Sequence, residues 1–128
     1  MKTFDNYACQ VDEFGGYGEI FYSRSRDKRV LKRPQYGGTV TSLLMFALKE
    51  KIVDAVVVSA TSEEMPLKPV AKLVYEAEDV LNCSGSRYTY APNLLALKEA
   101  FEMGVERLAV VGVPCQNKRA PISRTRSK

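Results

Sequence analysis

A chain of 128 residues is the length of one ordinary domain, and its 45% hydrophobic and 27% charged residues are the proportions of a globular protein. The formal charge of +4 is local: residues 117–128 hold five basic residues and no acid, whereas residues 1–116 set 14 Lys and Arg against 15 Asp and Glu. No apolar run nears the roughly 18–20 residues of a spanning helix, and the body lacks the basic excess that nucleic acid selects, so neither membrane nor nucleic acid is expected as a partner.

In chain order, residues 1–18 are polar, Gly-rich and expected to be irregular, with no apolar signal-peptide core at the start. Glu19 to Ser23 is rich in β-formers and predicts a short strand. The basic stretch Arg24 to Arg29 predicts a turn or helix start, with Val30 and Leu31 giving it one buried side and Pro34 ending it. Gly37-Gly38 opens a helix predicted over about 39–51, where Val40, Leu43, Leu44, Ala47 and Leu48 form one apolar stripe. Met45 and Phe46 widen that stripe, so the helix is expected to be largely buried.

Asp54 to Ala60 is a β-branched run that predicts a strand covered on both faces. Thr61 to Glu64 reads as a loop, followed by an extended stretch through Pro69 to Val74 and a short helix at about 76–82. Gly85 to Ala91 is a loop, and Pro92 begins a helix that runs to a C-terminal cap at Gly104. Leu108 to Val113 predicts another buried strand, ended by Pro114. Strands alternating with helices indicate an α/β fold with a mixed or parallel sheet and flanking helices. Residues 117–128 cannot bury apolar surface and are expected to form a basic disordered tail.

The chain has no His, which removes the commonest general base and the Ser-His-Asp and Cys-His triads. Its three cysteines, Cys9, Cys83 and Cys115, are too few and too scattered for a structural zinc site. Three places remain for chemistry. Gly37, Gly38, Thr39 and Thr41 stand at a helix start, where free N–H groups and the positive end of the helix dipole favour an anion. The competing reading is an ordinary Gly-Gly turn on a core helix. The loop Gly85-Ser86-Arg87-Tyr88, with Asn93 beyond it, offers a fork for phosphate and rings to lie against a planar ligand; the alternative is a polar surface loop. Cys115 follows a buried strand and reads as a cluster ligand, a redox thiol or a buried packing residue; Cys83 reads as packing. The six cations between Arg24 and Arg33 read as a solvated helical face or as an attractor for an anionic cofactor or nucleic acid, with no ribonucleoprotein-type aromatic motif beside them.

In order and spacing these pieces resemble the beta subunit of the coenzyme F420-reducing hydrogenase and dehydrogenase family. The matched pieces are Tyr22-Ser23-Arg24-Ser25, the Gly37-Gly38 turn into a Leu-rich helix, Asp54 leading a valine strand, the Gly85-Ser86-Arg87-Tyr88 to Asn93 block and Pro114-Cys115-Gln116. The resemblance covers residues 19–116 and implies FAD passing electrons between an iron–sulfur cluster and coenzyme F420 as substrate. The implied setting is a cytoplasmic hydrogenase or formate dehydrogenase complex. It implies flavin or deazaflavin contacts at Gly37, Gly38, Thr39, Thr41, Gly85, Ser86, Arg87, Tyr88 and Asn93, with Cys115 as a cluster ligand or a flavin-side residue. The family continues well past the Pro-Cys-Gln corner and carries further cysteines. The chain therefore reads as an incomplete subunit, with residues 117–128 as a foreign tail. The other expectation is a catalytically silent α/β binding or interaction module.

Overall fold

A run as apolar as Val56-Val57-Val58 can be accommodated only where both faces of a strand are covered. The computed structural model, which describes residues 9–11, 15–17, 19–32, 36–62, 68–85, 91–113, 115 and 116, puts it at the centre of a three-stranded sheet. Strand β1 is Cys9–Val11, β2 Gly15–Tyr17, β3 Ala55–Thr61, β4 Pro69–Val74 and β5 Leu108–Val110. The helices are α1 Lys28–Leu31, α2 Thr39–Lys49, α3 Ala77–Asn82 and α4 Asn93–Glu102. The sheet order is β4-β3-β5, with β3 antiparallel to β4 (Val57 opposite Leu73) and parallel to β5 (Val56 opposite Ala109). This is the mixed sheet of an α/β fold.

Side chains alternate along β3, so each face collects its own helix layer. Val56, Val58 and Ala60 join Met45 and Leu48 of α2 and Val80 and Leu81 of α3 in one buried cluster. On the other face α4 packs across β3, β4 and β5, burying Ala96, Leu97 and Ala100. Three ion pairs, in two groups, fasten the frame. Asp54, just before β3, holds Arg107, just before β5, through Arg107 Nε (3.1 Å) and the Arg107 backbone N–H (3.0 Å), while Arg107 Nη1 donates to Lys51 O at 2.7 Å. Asp27 caps α1 by accepting from the Arg29 backbone N–H at 2.8 Å, and the Arg29 guanidinium bridges Asp27 and Glu78, tying α1 to α3.

The structure corrects several expectations. Residues 19–23 are not a strand: among the described residues they pair with none, and Ile20, Phe21 and Tyr22 are exposed. Within the start expected to be irregular, β1 pairs antiparallel with β2, with Cys9 opposite Tyr17. Strands of three residues are too short to show alternation in sequence. Helix α2 stops at Lys49, two residues early, because Lys51 takes a left-handed φ of 53° that ends the turn. It is also less buried than its stripe suggests: Met45 and Leu48 are buried, but Val40, Leu43 and Phe46 are exposed. A stripe spread around so much of the cylinder exceeds what one sheet face can cover. Strand β5 is three residues long and half-buried, since it pairs with β3 on one side only among the described strands. The expectations for Pro34, for 63–64 of the loop after β3, for Ser86 to Tyr90 and for 117–128 lie outside the described residues.

Candidate functional site

Tyr22-Ser23-Arg24-Ser25 forms a strap across the turn that starts α2. The Ser25 N–H donates to Gly37 O at 2.7 Å, and Thr39 Oγ1 donates to Ser23 O at 3.2 Å. The Ser23 and Thr39 hydroxyls lie 2.8 Å apart, and Ser42 Oγ donates to Ser25 Oγ at 2.7 Å. Gly37 admits this strap, and Gly38 admits Val30 of α1. A Cβ on Gly37 would stand 2.7 Å from Ser23 O, and one on Gly38 would stand 2.3 Å from Val30 Cγ1, with Gly38 at a φ of 69°. Sequence pattern leaves an ordinary Gly-Gly turn and an anion site both open; the missing side chains make room for the protein's own backbone and Val30, while both glycines also line the space beside the turn. Tyr36, exposed at the same turn, is also left-handed at φ 61°.

Beside this turn lies an open cleft of about 790 Å³. Gly37, Gly38, Thr39 and Thr41 line one side, Gly85 and Asn93 another, so six of the residues singled out in sequence converge on one space. Its floor is Val58 and Ser59 of β3 with Val111, Gly112 and Val113 after β5. Val58 and Ser59 lie in the carboxyl-terminal half of β3, past its pairing with β5, and 111–113 follow the carboxyl end of β5, the side of the sheet where α/β folds place their ligands. Ser86, Arg87 and Tyr88 lie outside the described residues. Cys115 is exposed and does not line the cleft, whereas Cys83, read as packing, is buried in the core cluster and also lines it.

Two buried amides brace the cleft wall. Asn93, 3% exposed, donates from Nδ2 to Val111 O at 2.7 Å and accepts from Ser59 Oγ at 3.2 Å, which ties the start of α4 to both parallel strands. Gln116 donates from Nε2 to Ala91 O at 2.8 Å and accepts from the Val113 N–H at 3.3 Å. Sequence reasoning assigns Asn93 to ligand contact and misses Ser59, Val80, Ser84 and Gly112. Gly112 is open to discovery, because it follows closely on a strand's carboxyl end, where such sites form. Ser84 carries no pattern.

Among the described residues lining the cleft there is no Asp, Glu, Lys or Arg. The charged groups work elsewhere. The Arg29 hydrogen bonds hold the Asp27 carboxyl down at about 2, and Arg107 holds that of Asp54 below its usual range. Among the described residues no three of His, Cys, Asp and Glu come together as a metal site, so they do not by themselves fit an iron–sulfur cluster.

Residues 20–98 match the family profile described as coenzyme F420 hydrogenase/dehydrogenase, beta subunit, N-terminal part. The chain is 39% identical over 103 residues to the coenzyme F420 hydrogenase subunit beta of Methanothermobacter thermautotrophicus, an alignment covering 80% of this chain and 36% of that protein. It is 43% identical over 100 residues to the coenzyme F420-dependent sulfite reductase of Methanocaldococcus jannaschii, covering 78% of this chain and 15% of the other. Among solved structures it superposes on a chain of the F420-reducing NiFe hydrogenase complex from Methanosarcina barkeri with a TM-score of 0.69 and 36% identity, over 74% of this chain and 33% of that one. The chain thus spans well under half the length of these relatives.

Proposed function

We propose a function from one established premise: the chain belongs to the coenzyme F420 hydrogenase/dehydrogenase beta-subunit family. In this reading it is part of an F420-linked oxidoreductase subunit, and its cleft holds a flavin, FAD, that exchanges hydride with coenzyme F420. The observation that carries the proposal is the convergence of the Gly37-Gly38 turn, Gly85 and Asn93 on one cleft, beside the carboxyl-terminal half of β3 and the residues that follow β5.

The residues present suit the group. A volume of about 790 Å³ is within the range of cofactor pockets. The first turn of α2 offers the free N–H groups that a diphosphate takes, and Thr39 and Thr41 stand beside them. Val58, Val80 and Val111 give an aliphatic wall against which a flat ring can lie. When bound, the flavin supplies the hydride chemistry, and the chain's part is to orient the ring and exclude water around it. Ser86, Arg87 and Tyr88 belong to the same proposal as phosphate and ring contacts, and Asn93 as the brace of the wall. In this reading the protein works in the cytoplasm beside hydrogenase or formate dehydrogenase subunits, and Cys115 faces a cluster completed by ligands beyond the described residues. No described helix is long and apolar enough to cross a membrane.

The test is anaerobic purification, titration with FAD, and F420 reduction with an artificial donor. Flavin absorbance retained on the protein supports the reading. A protein that holds no flavin at micromolar concentration sinks it. Flavin binding without F420 turnover selects the second reading, a catalytically silent binding module.

A further inference from the structure

Scattered exposed apolar side chains are ordinary, but a set gathered on one cleft marks a surface that something else covers. Phe21, Tyr22, Tyr36 and Val40 all line the cleft and are all exposed, whereas Val58, Val80 and Asn93 line it and are buried. The buried set is the inner cleft and the exposed set its mouth. The mouth is largely aromatic: Phe21 is 75% exposed, Tyr36 84%, and Tyr22 fully.

Tyr36 stands there at a cost. Its φ of 61° is left-handed, a region that glycine or asparagine occupies with less strain. Burial does not offset that strain, because the ring faces water. A large ring held in a strained and unpacked position at the mouth of a cleft points to a contact outside the fold.

The chemistry of the mouth restricts that contact. Among the described residues no charged side chain lines the cleft, so the rim offers ring faces and edges rather than ion pairs. Aromatic side chains associate with other rings by offset stacking or edge to face. Hydride exchange brings two rings together, with the reacting atoms about 3–3.5 Å apart. A flavin lying against Val58, Val80 and Val111 turns its other face towards the mouth, and the second ring has to enter there.

We infer that Tyr36, with Phe21 and Tyr22 on the same mouth, is the platform on which the deazaflavin ring of coenzyme F420 stacks when it meets the flavin. This rests on the flavin reading above and deepens it. The inner cleft holds the resident ring, and the mouth takes the ring that comes and goes.

Two variants test it. Tyr36→Asn removes the ring and suits the left-handed turn, and Tyr36→Phe keeps the ring. Dissociation constants are measured for FAD on the ligand-free chain and for F420 on the FAD-loaded chain, with urea unfolding of each ligand-free protein alongside. Tyr36→Asn is expected to weaken F420 about three- to ten-fold and to leave FAD within about two-fold. Its urea midpoint is expected at or above that of the wild type, while Tyr36→Phe keeps F420 affinity within about two-fold. A loss for FAD as large as that for F420 overturns the inference, since Tyr36 would then touch the resident cofactor. A lower urea midpoint for Tyr36→Asn overturns it too, because the ring would then pack within the fold. So does an F420 affinity that Tyr36→Phe loses as fully as Tyr36→Asn, which would assign the contact to the phenol hydroxyl. Self-association of the ligand-free wild type that Tyr36→Asn abolishes, with F420 binding unchanged, gives the rim to a second copy and overturns it as well. A wild type that holds no flavin sinks the flavin reading and the inference with it. A wild type that binds flavin and F420 while Tyr36→Asn is indifferent defeats the inference alone.

Discussion

Val30 of α1, packed against the start of α2, makes Gly38 a sensitive backbone position near the cleft, and the molecule contains its own control. Gly38→Ala meets two penalties. Its φ of 69° lies in the left-handed region, which costs an L-residue roughly 1–2 kcal/mol. Its new Cβ would also stand 2.3 Å from Val30 Cγ1, and Val30 is buried, so the core must shift at about 1–3 kcal/mol. Gly104 has nearly the same φ, 74°, and a methyl group added there would meet nothing within 4 Å, so Gly104→Ala carries the first penalty without the second. Urea unfolding followed by far-UV circular dichroism should therefore show Gly38→Ala more destabilised than Gly104→Ala by about 1–3 kcal/mol. In a Val30→Ala background the excess should largely vanish, giving a coupling of the same size and opposite sign. Equal losses for the two glycine variants, or an excess that survives Val30→Ala, would refute the claim that Gly38 is required by Val30.

Asn93→Ala should lose about 1–3 kcal/mol, since it strands the Val111 carbonyl and the Ser59 hydroxyl in a buried wall; hydrogen exchange at the Val111 amide, which donates to Val57 O at 3.1 Å, should accelerate with it. Wild-type exchange rates in Asn93→Ala would contradict the bracing role. Asp27 predicts an acid-side effect. Its folded pKa of about 2 lies below the unfolded value of about 3.9, so its contribution is present above the unfolded value and is lost as pH falls towards 2. Urea midpoints of the wild type and Asp27→Asn should differ at about pH 6 and converge between about pH 4 and 2; a gap independent of pH would count against the Arg29 bond as the cause.

How much was legible in the sequence depended on whether a local pattern carried the signal. The valine strand, the helix opened by Gly37-Gly38 and the cap at Gly104 were readable because each has a period or a backbone requirement of its own. Ile20, Phe21 and Tyr22 mislead, because β-propensity describes a surface to be packed and here no described strand lies alongside. Asp54 shows the same limit for a motif. An acidic residue leading the valine strand belongs to the family pattern, yet only the fold reveals that it pairs with Arg107, 53 residues away. Asn93 and Gln116 are visible as unusual polar residues near apolar segments. Their work, spanning to Val111 O and Ala91 O, is long-range and has no sequence signature.

The distribution of charge follows from the same geometry and bears on what the cleft can hold. Asp54 and Arg107 close the amino ends of β3 and β5, and Asp27, Arg29 and Glu78 lock α1 to α3. The carboxyl ends of the same strands open into a cleft whose described lining has no charged side chain. A carboxylate or ammonium group in that lining would have to be desolvated whenever a ring covered it, at a cost a neutral lining avoids. Among the described residues the field in the cleft therefore comes chiefly from fixed backbone groups, the N–H groups of the first turn of α2. Such dipoles do not titrate, so ligand affinity in the cleft should hold nearly constant wherever the frame itself is folded. Its acid limit should then coincide with the loss of the Asp27 and Asp54 pairs rather than with protonation of any group that touches the ligand.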